Sequence, residues 1–147
     1  MKRLEPFVVT VFFSIYMLLG IAALEGGGSN PLKGVELVAS FQETSTKSKL
    51  PAEQRNVMDA KAIRDYCKAN CSKDKDGNPQ FRPNIDPSDK QILDDPIWSE
   101  VLETERDADV QWLIVSDGKR RWYSGPMPKG VDATLAKIKE LLPEKKK

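Results

Sequence analysis

Val110-Gln111-Trp112-Leu113-Ile114-Val115-Ser116, then Asp117-Gly118, then Lys119-Arg120-Arg121-Trp122-Tyr123-Ser124 is the stretch on which the fold turns. β-Branched and aromatic residues are concentrated in both arms, and the pair Asp-Gly separates them. A two-residue type I′ turn requires positive φ at both central positions, which Asp-Gly adopts at low cost, so the stretch predicts an antiparallel hairpin. Side chains alternate along a strand, which sets Trp112 inward with Ile114.

Downstream, the loop Gly125-Pro126-Met127-Pro128-Lys129-Gly130 leads to Asp132, expected to cap a helix over residues 133–142. Leu135, Ile138, Leu141 and Leu142 make its buried face, and Pro143 stops it before a basic tail at 143–147. Upstream, Asp95 is the expected cap of a helix with Pro96 at its first position and Ile97, Trp98, Val101 and Leu102 as one apolar stripe. Gln80-Phe81-Arg82 reads as a short strand after the turn Asp76-Gly77-Asn78-Pro79. Asp59 is expected to cap a helix over 60–70 that buries Ile63, Tyr66 and Cys67, preceded by a helical turn at 50–54 with Pro51 at its first position. Val35-Glu36-Leu37-Val38-Ala39-Ser40-Phe41 reads as a largely buried first strand, followed by a polar loop at 42–49. Residues 32–142 therefore predict one α/β domain of order β-α-β-α-β-β-α, without internal repeats.

That order resembles the thioredoxin-like fold. The likeness covers about residues 32–142 and rests mainly on Gln111-Trp112-Leu113-Ile114-Val115-Ser116-Asp117-Gly118-Lys119, then Tyr123-Ser124-Gly125-Pro126, then the last helix. The resemblance implies a Cys-x-x-Cys pair just after the first strand and a cis-proline before the third. Here the first place reads Gln42-Glu43-Thr44-Ser45-Thr46-Lys47-Ser48 and the second Asp109-Val110-Gln111, so the family's oxidoreductase route has neither of its parts. The chain also resembles a loose group of short, anchored, uncharacterised bacterial and phage proteins ending in a Trp-containing strand, an Asp/Asn-Gly turn and a Gly-Pro-x-Pro loop. That likeness implies no activity.

Before the domain, Lys2 and Arg3 precede an apolar run at 6–24, interrupted by Thr10, Ser14 and Tyr16. About 20 such residues span a bilayer as a helix, so residues 1–24 are expected to be a transmembrane anchor or, alternatively, a cleaved signal peptide with Gly20-Ile21-Ala22-Ala23 near its end. The early positive charges place the rest of the chain on the extracytoplasmic side, membrane-anchored, or secreted or periplasmic after cleavage. Residues 25–31, Glu-Gly-Gly-Gly-Ser-Asn-Pro, read as a flexible linker.

The 147 residues carry a formal net charge of +1, which supplies no basic field to argue for nucleic acid. Histidine is absent, which excludes Ser-His-Asp and Cys-His catalysis. The only cysteines are Cys67 and Cys71. Four apart on a continuous helix their Cβ atoms lie too far apart for a disulfide, whereas a helix ending at Asn70 lets Cys71 fold back. A structural disulfide, two unpaired thiols and a redox pair all stay open, although a helix C-terminus raises a thiol pKa. No metal or cofactor is expected. In Asp74-Lys75-Asp76-Gly77-Asn78, aligned on the glycine of a calcium loop, Pro83 stands where the bidentate glutamate belongs. The acidic pairs Asp94-Asp95 and Glu103-Glu105 read as caps and solvated groups.

Trp122, Tyr123, Pro126, Met127 and Pro128 fall on an outer strand and its following loop, and offer a partner-binding surface unless the aromatic groups pack beneath the last helix. Together these readings predict a membrane-tethered, non-catalytic domain binding another protein in the cell envelope. The alternatives are an atypical thiol-disulfide protein using Cys67 and Cys71, and a phage or envelope structural component.

Overall fold

The computed structural model describes residues 30–43, 47, 49–88 and 96–146. Its centre is β1, Glu36–Phe41, in which every residue after Glu36 is buried. Such a continuous apolar run marks a strand covered on both faces rather than one with a wet side. β2, Phe81–Ile85, pairs parallel with β1 on one flank; β3, Trp112–Asp117, pairs antiparallel on the other and carries the edge strand β4, Trp122–Pro126. The result is a mixed four-stranded sheet of order β2-β1-β3-β4.

Helices are α1, Ala52–Arg55, α2, Lys61–Asn70, α3, Pro96–Glu103, and α4, Val131–Leu141, with a 3-10 turn at Val57–Asp59. Strand alternation sorts the core into two halves. Val38, Leu113 and Val115 pack with Ile63, Tyr66 and Cys67 of α2, Ile138 of α4, and Val57 and Met58 of the 3-10 turn. Leu37, Ala39, Phe41 and Ile114 point the other way and meet Trp98 and Val101 of α3. The β-α-β-α-β-β-α order read from the sequence is therefore the order observed. Asn30 is already buried, its amide donating to Ser116 Oγ at 2.9 Å, so packing begins two residues ahead of the expected boundary at Leu32.

Several local expectations are corrected. The hairpin does not close as a two-residue Asp-Gly turn: Ser116 pairs with Trp122, leaving a loop at 118–120. The Asp117 carboxylate is the reason, since its Oδ1 accepts from the backbone of both Lys119 and Arg121, at 2.8 and 2.9 Å, and props the loop open. Gly118 is still required, because φ is +70° there and a Cβ would stand 2.9 Å from the Val35 nitrogen. Asp59 and Asp132 do not cap. Asp59 lies in the 3-10 turn and accepts from Asn84 Nδ2, so Ala60 holds the N-cap position of α2; Gly130, at φ +86°, holds that of α4. Pro51 occupies the N-cap position of α1 rather than its first helical one. β2 runs three residues past the expected 80–82, because a register shift between Ala39 and Phe41 admits Pro83 and the left-handed Asn84 at the sheet edge. The Asn84 N–H donates to Ser40 Oγ at 2.8 Å instead of continuing the ladder. The expected cap at Asp95 lies outside the described residues.

Candidate functional site

β1 ends, β3 begins and α1 passes at one place, and three glutamines meet there. Gln42 follows β1; its backbone N–H donates to the Ile85 carbonyl at 3.0 Å and its side chain reaches the Arg55 carbonyl at 3.4 Å. Gln111 precedes β3, only 4% exposed, with Oε1 accepting from Gln54 Nε2 at 3.4 Å. Gln54 Oε1 in turn accepts the Gly130 N–H at 3.1 Å, so one side chain ties α1 to the start of α4. Gln111 Nε2 has no hydrogen-bond partner although it is buried. Beside this cluster the Arg106 guanidinium stacks over Phe41, 4.4 Å from the ring centroid, with Glu43 3.6 Å from its Nε. Amides and a paired guanidinium can bind and orient a partner's polar groups, but they supply neither a nucleophile nor a group that exchanges protons near neutral pH. This cluster was not singled out by sequence reasoning: each glutamine reads as a polar residue flanking an apolar run.

Cys67 and Cys71 sit at the other end of the sheet. The Ser72 N–H donates to the carbonyl of Glu36, the first residue of β1, whereas Gln42 lies just past its last. At about 3.3 Å per residue the two sites are separated by roughly 20 Å. Both thiols are free and buried. α2 ends at Asn70 and Cys71 turns extended, its N–H donating to the Cys67 carbonyl at 2.9 Å as the last bond of the helix. The hydrogen bond with Cys71 and then burial push the Cys67 thiol far above its ordinary range, which suppresses the thiolate that redox chemistry needs.

The chain after α4 straps this end down. Tyr66 Oη donates to the Leu142 carbonyl at 2.6 Å, and the Lys145 N–H donates to Asn70 Oδ1 at 2.9 Å. The Lys145 ammonium lies 3.5 Å from the Glu36 carboxylate. Burial alone would raise the Glu36 pKa, but the Ser72 hydroxyl and Lys145 together hold it below the usual range.

The aromatic and proline residues do not form one surface. Trp122 is half-buried and packs with the α3 half of the core, while Tyr123 faces the other half, with Lys137 Nζ 5.0 Å from its ring centroid. Met127 is a core residue, 7% exposed, which corrects its expected place on a binding surface. Pro126 is exposed, and half-buried Pro128 is held by its carbonyl, which accepts from Thr134 Oγ1 at 2.9 Å. No family model, curated protein or solved structure matches this chain. Its chemistry therefore has to be read from these residues alone. In the turn after α2, Asp74 Oδ1 accepts from the backbone of Asp76 and Asn78 at 2.9 and 2.8 Å, and Oδ2 from Asn78 Nδ2 at 3.2 Å. Hydrogen bonds led by the Asn78 N–H lower the Asp74 pKa, and the turn is closed by its own side chains. Among the described residues no group of three or more His, Cys, Asp or Glu converges to hold a metal, and no helix is long and apolar enough to cross a membrane.

Proposed function

We propose that this chain is a membrane-tethered, thioredoxin-like but non-catalytic domain that binds another protein in the cell envelope. The observation that carries the reading is what occupies the end of β1: Gln42 and Gln111 fall where a redox member of that fold needs a thiol and a proline, and Gln54 bonds to Gln111. The β2-β1-β3-β4 order, with helices on both faces, supports the fold comparison. The apolar run at 6–24 and its preceding Lys2 and Arg3 support the tether and its extracytoplasmic orientation. The partner is expected along β4, the edge strand that runs from half-buried Trp122 to exposed Pro126.

The test places a photo-crosslinking residue at Pro126 and, as a control, at exposed Lys61 on α2, in cells expressing the full chain. One discrete adduct from position 126, absent from 61, is expected; identical patterns from both would remove the binding surface. A second reading, thiol-disulfide exchange by Cys67 and Cys71, is favoured only by the thiols being neighbours. Reduction of insulin by the purified chain, lost in Cys67→Ser, would replace the first reading with this one.

A further inference from the structure

One end of the domain gathers five exposed basic side chains, and it is the end from which the chain runs back to the apolar segment. Asn30 is locked there: its side chain donates to Ser116 Oγ and the Arg121 carbonyl, and accepts the Leu32 N–H. The Gly34 N–H donates to the Gly118 carbonyl at 2.6 Å, which brings Lys33 to the hairpin loop bearing Lys119, Arg120 and Arg121. An Arg121 guanidinium nitrogen donates to the Glu140 carbonyl at 3.0 Å, joining the loop to the end of α4 and to Lys146 beyond it. All five of these basic side chains are exposed.

The acids at this end are Glu36, Asp117, Glu140 and Glu144, with Asp74 and Asp76 in the adjoining turn beside Lys73 and Lys75. Glu36 holds Ser72 and Lys145, Asp117 is turned into its own loop, and Glu140 pairs with Lys137. The opposite end exposes Glu105, Asp107, Asp109 and Asp132 together with Lys49 and Lys129. The excess of basic over acidic side chains therefore lies at the first end.

We propose that the basic end is a docking surface for an anionic lipid membrane, which rests on the tether reading and adds to it the face the domain presents. Residues 25–29 are all that separate Leu24 from Asn30. A fully extended chain covers about 3.6 Å per residue, so Asn30 stays within roughly 20 Å of the end of the apolar run. Surface potentials decay within about 8 Å at physiological salt, a distance to which a tether of this length lets the basic patch approach the bilayer. Clusters of about four to eight Lys and Arg suffice to attract anionic headgroups, a number that the tail alone does not reach and the assembled end does. Docking by this end turns the opposite end, with Gln42, Gln54 and Gln111, away from the membrane.

The experiment reconstitutes the full chain into lipid nanodiscs of phosphatidylcholine alone, or with about a third phosphatidylglycerol, and follows trypsin cleavage. Cleavage at 119–121 is compared with cleavage after Lys129 at the far end. In anionic discs the loop should be cut about fivefold more slowly while Lys129 is unaffected, with the difference abolished near 1 M NaCl, where the screening length is about 3 Å. Lys33→Glu combined with Lys146→Glu, which spares the cleavage sites, should restore most of the rate. Equal rates in both discs would overturn the docking surface, as would protection that survives salt, or protection in neutral discs on adding a short oligonucleotide, which would mark a nucleic-acid surface. A chain that fails to enter discs at all overturns the tether reading itself, a result distinct from entry without protection.

Discussion

The two ends of the sheet gather different kinds of side chain. At the carboxyl end of β1, where a helix and a preceding loop converge on β3, there are amides; at its amino end, beneath the last residues of the chain, there are thiols. The amide end carries a buried polar group without a partner, Gln111 Nε2. The thiol end is closed by Tyr66, Asn70 and Lys145. Residue type alone would have assigned the chemistry to the cysteines. Burial and their seat at a helix C-terminus both disfavour the thiolate there, while the amides at the other end tie α1 to β3 and α4.

The contrast is sharpest at two glycines. Gly118→Ala, at the thiol end, forces a side chain into positive φ and against the Val35 backbone, and should cost about 3 kcal/mol in urea unfolding. Gly130→Ala, at the amide end, meets open space and should cost only the conformational strain, about 1–2 kcal/mol. Equal losses would mean that the two turns are equally constrained.

The thiol end also predicts an alkaline dependence. Cys67 keeps its proton in the folded state far above its ordinary range, whereas in the unfolded chain it loses it above about pH 8.5. The unfolded state then binds fewer protons, so this stabilisation is complete below that pH and falls as pH rises, by about 1.4 kcal/mol per pH unit. Cys67→Ala should flatten the stability profile by that slope. A profile unchanged by the substitution would show a thiol as acidic folded as unfolded.

At the amide end, Gln54→Ala removes the acceptor for the Gly130 N–H and a partner of Gln111, and should cost about 1–2 kcal/mol. The smallest effect is expected from Gln111→Met, which replaces an amide whose Nε2 is already unpartnered with an apolar group of similar length. A change within about 0.5 kcal/mol is expected, and a loss as large as that of Gln54→Ala would mean that Gln111 is held by more than Gln54.

Much of the fold was legible because strand and helix periodicities survive in sequence. The buried faces of α2 and α4, the β1 run and the two arms of the hairpin all lie where alternation and the 3.6-residue repeat place them. The misses share a cause. Asp59, Asp117 and Asp132 are local signals, and for each a longer-range or competing hydrogen bond decided the outcome: Asn84 engages Asp59, the Asp117 carboxylate widens its own turn, and Gly130, tied to Gln54, starts α4 ahead of Asp132. The expected surface failed at Met127 because a residue just past the end of a strand can turn back into the core, which no short-range pattern records.

The sequence by itself determined the element order, the central buried strand, the absence of histidine and the two cysteines at a helix end, since each depends on residues near one another along the chain. Only the tertiary structure decided that Gln42, Gln54 and Gln111 converge, that Cys67 and Cys71 are enclosed, and that Lys33, Lys119, Arg120, Arg121 and Lys146 gather at one end. Those groupings join residues from opposite parts of the chain, and strand pairing across the sheet, rather than any local propensity, sets which of them become neighbours.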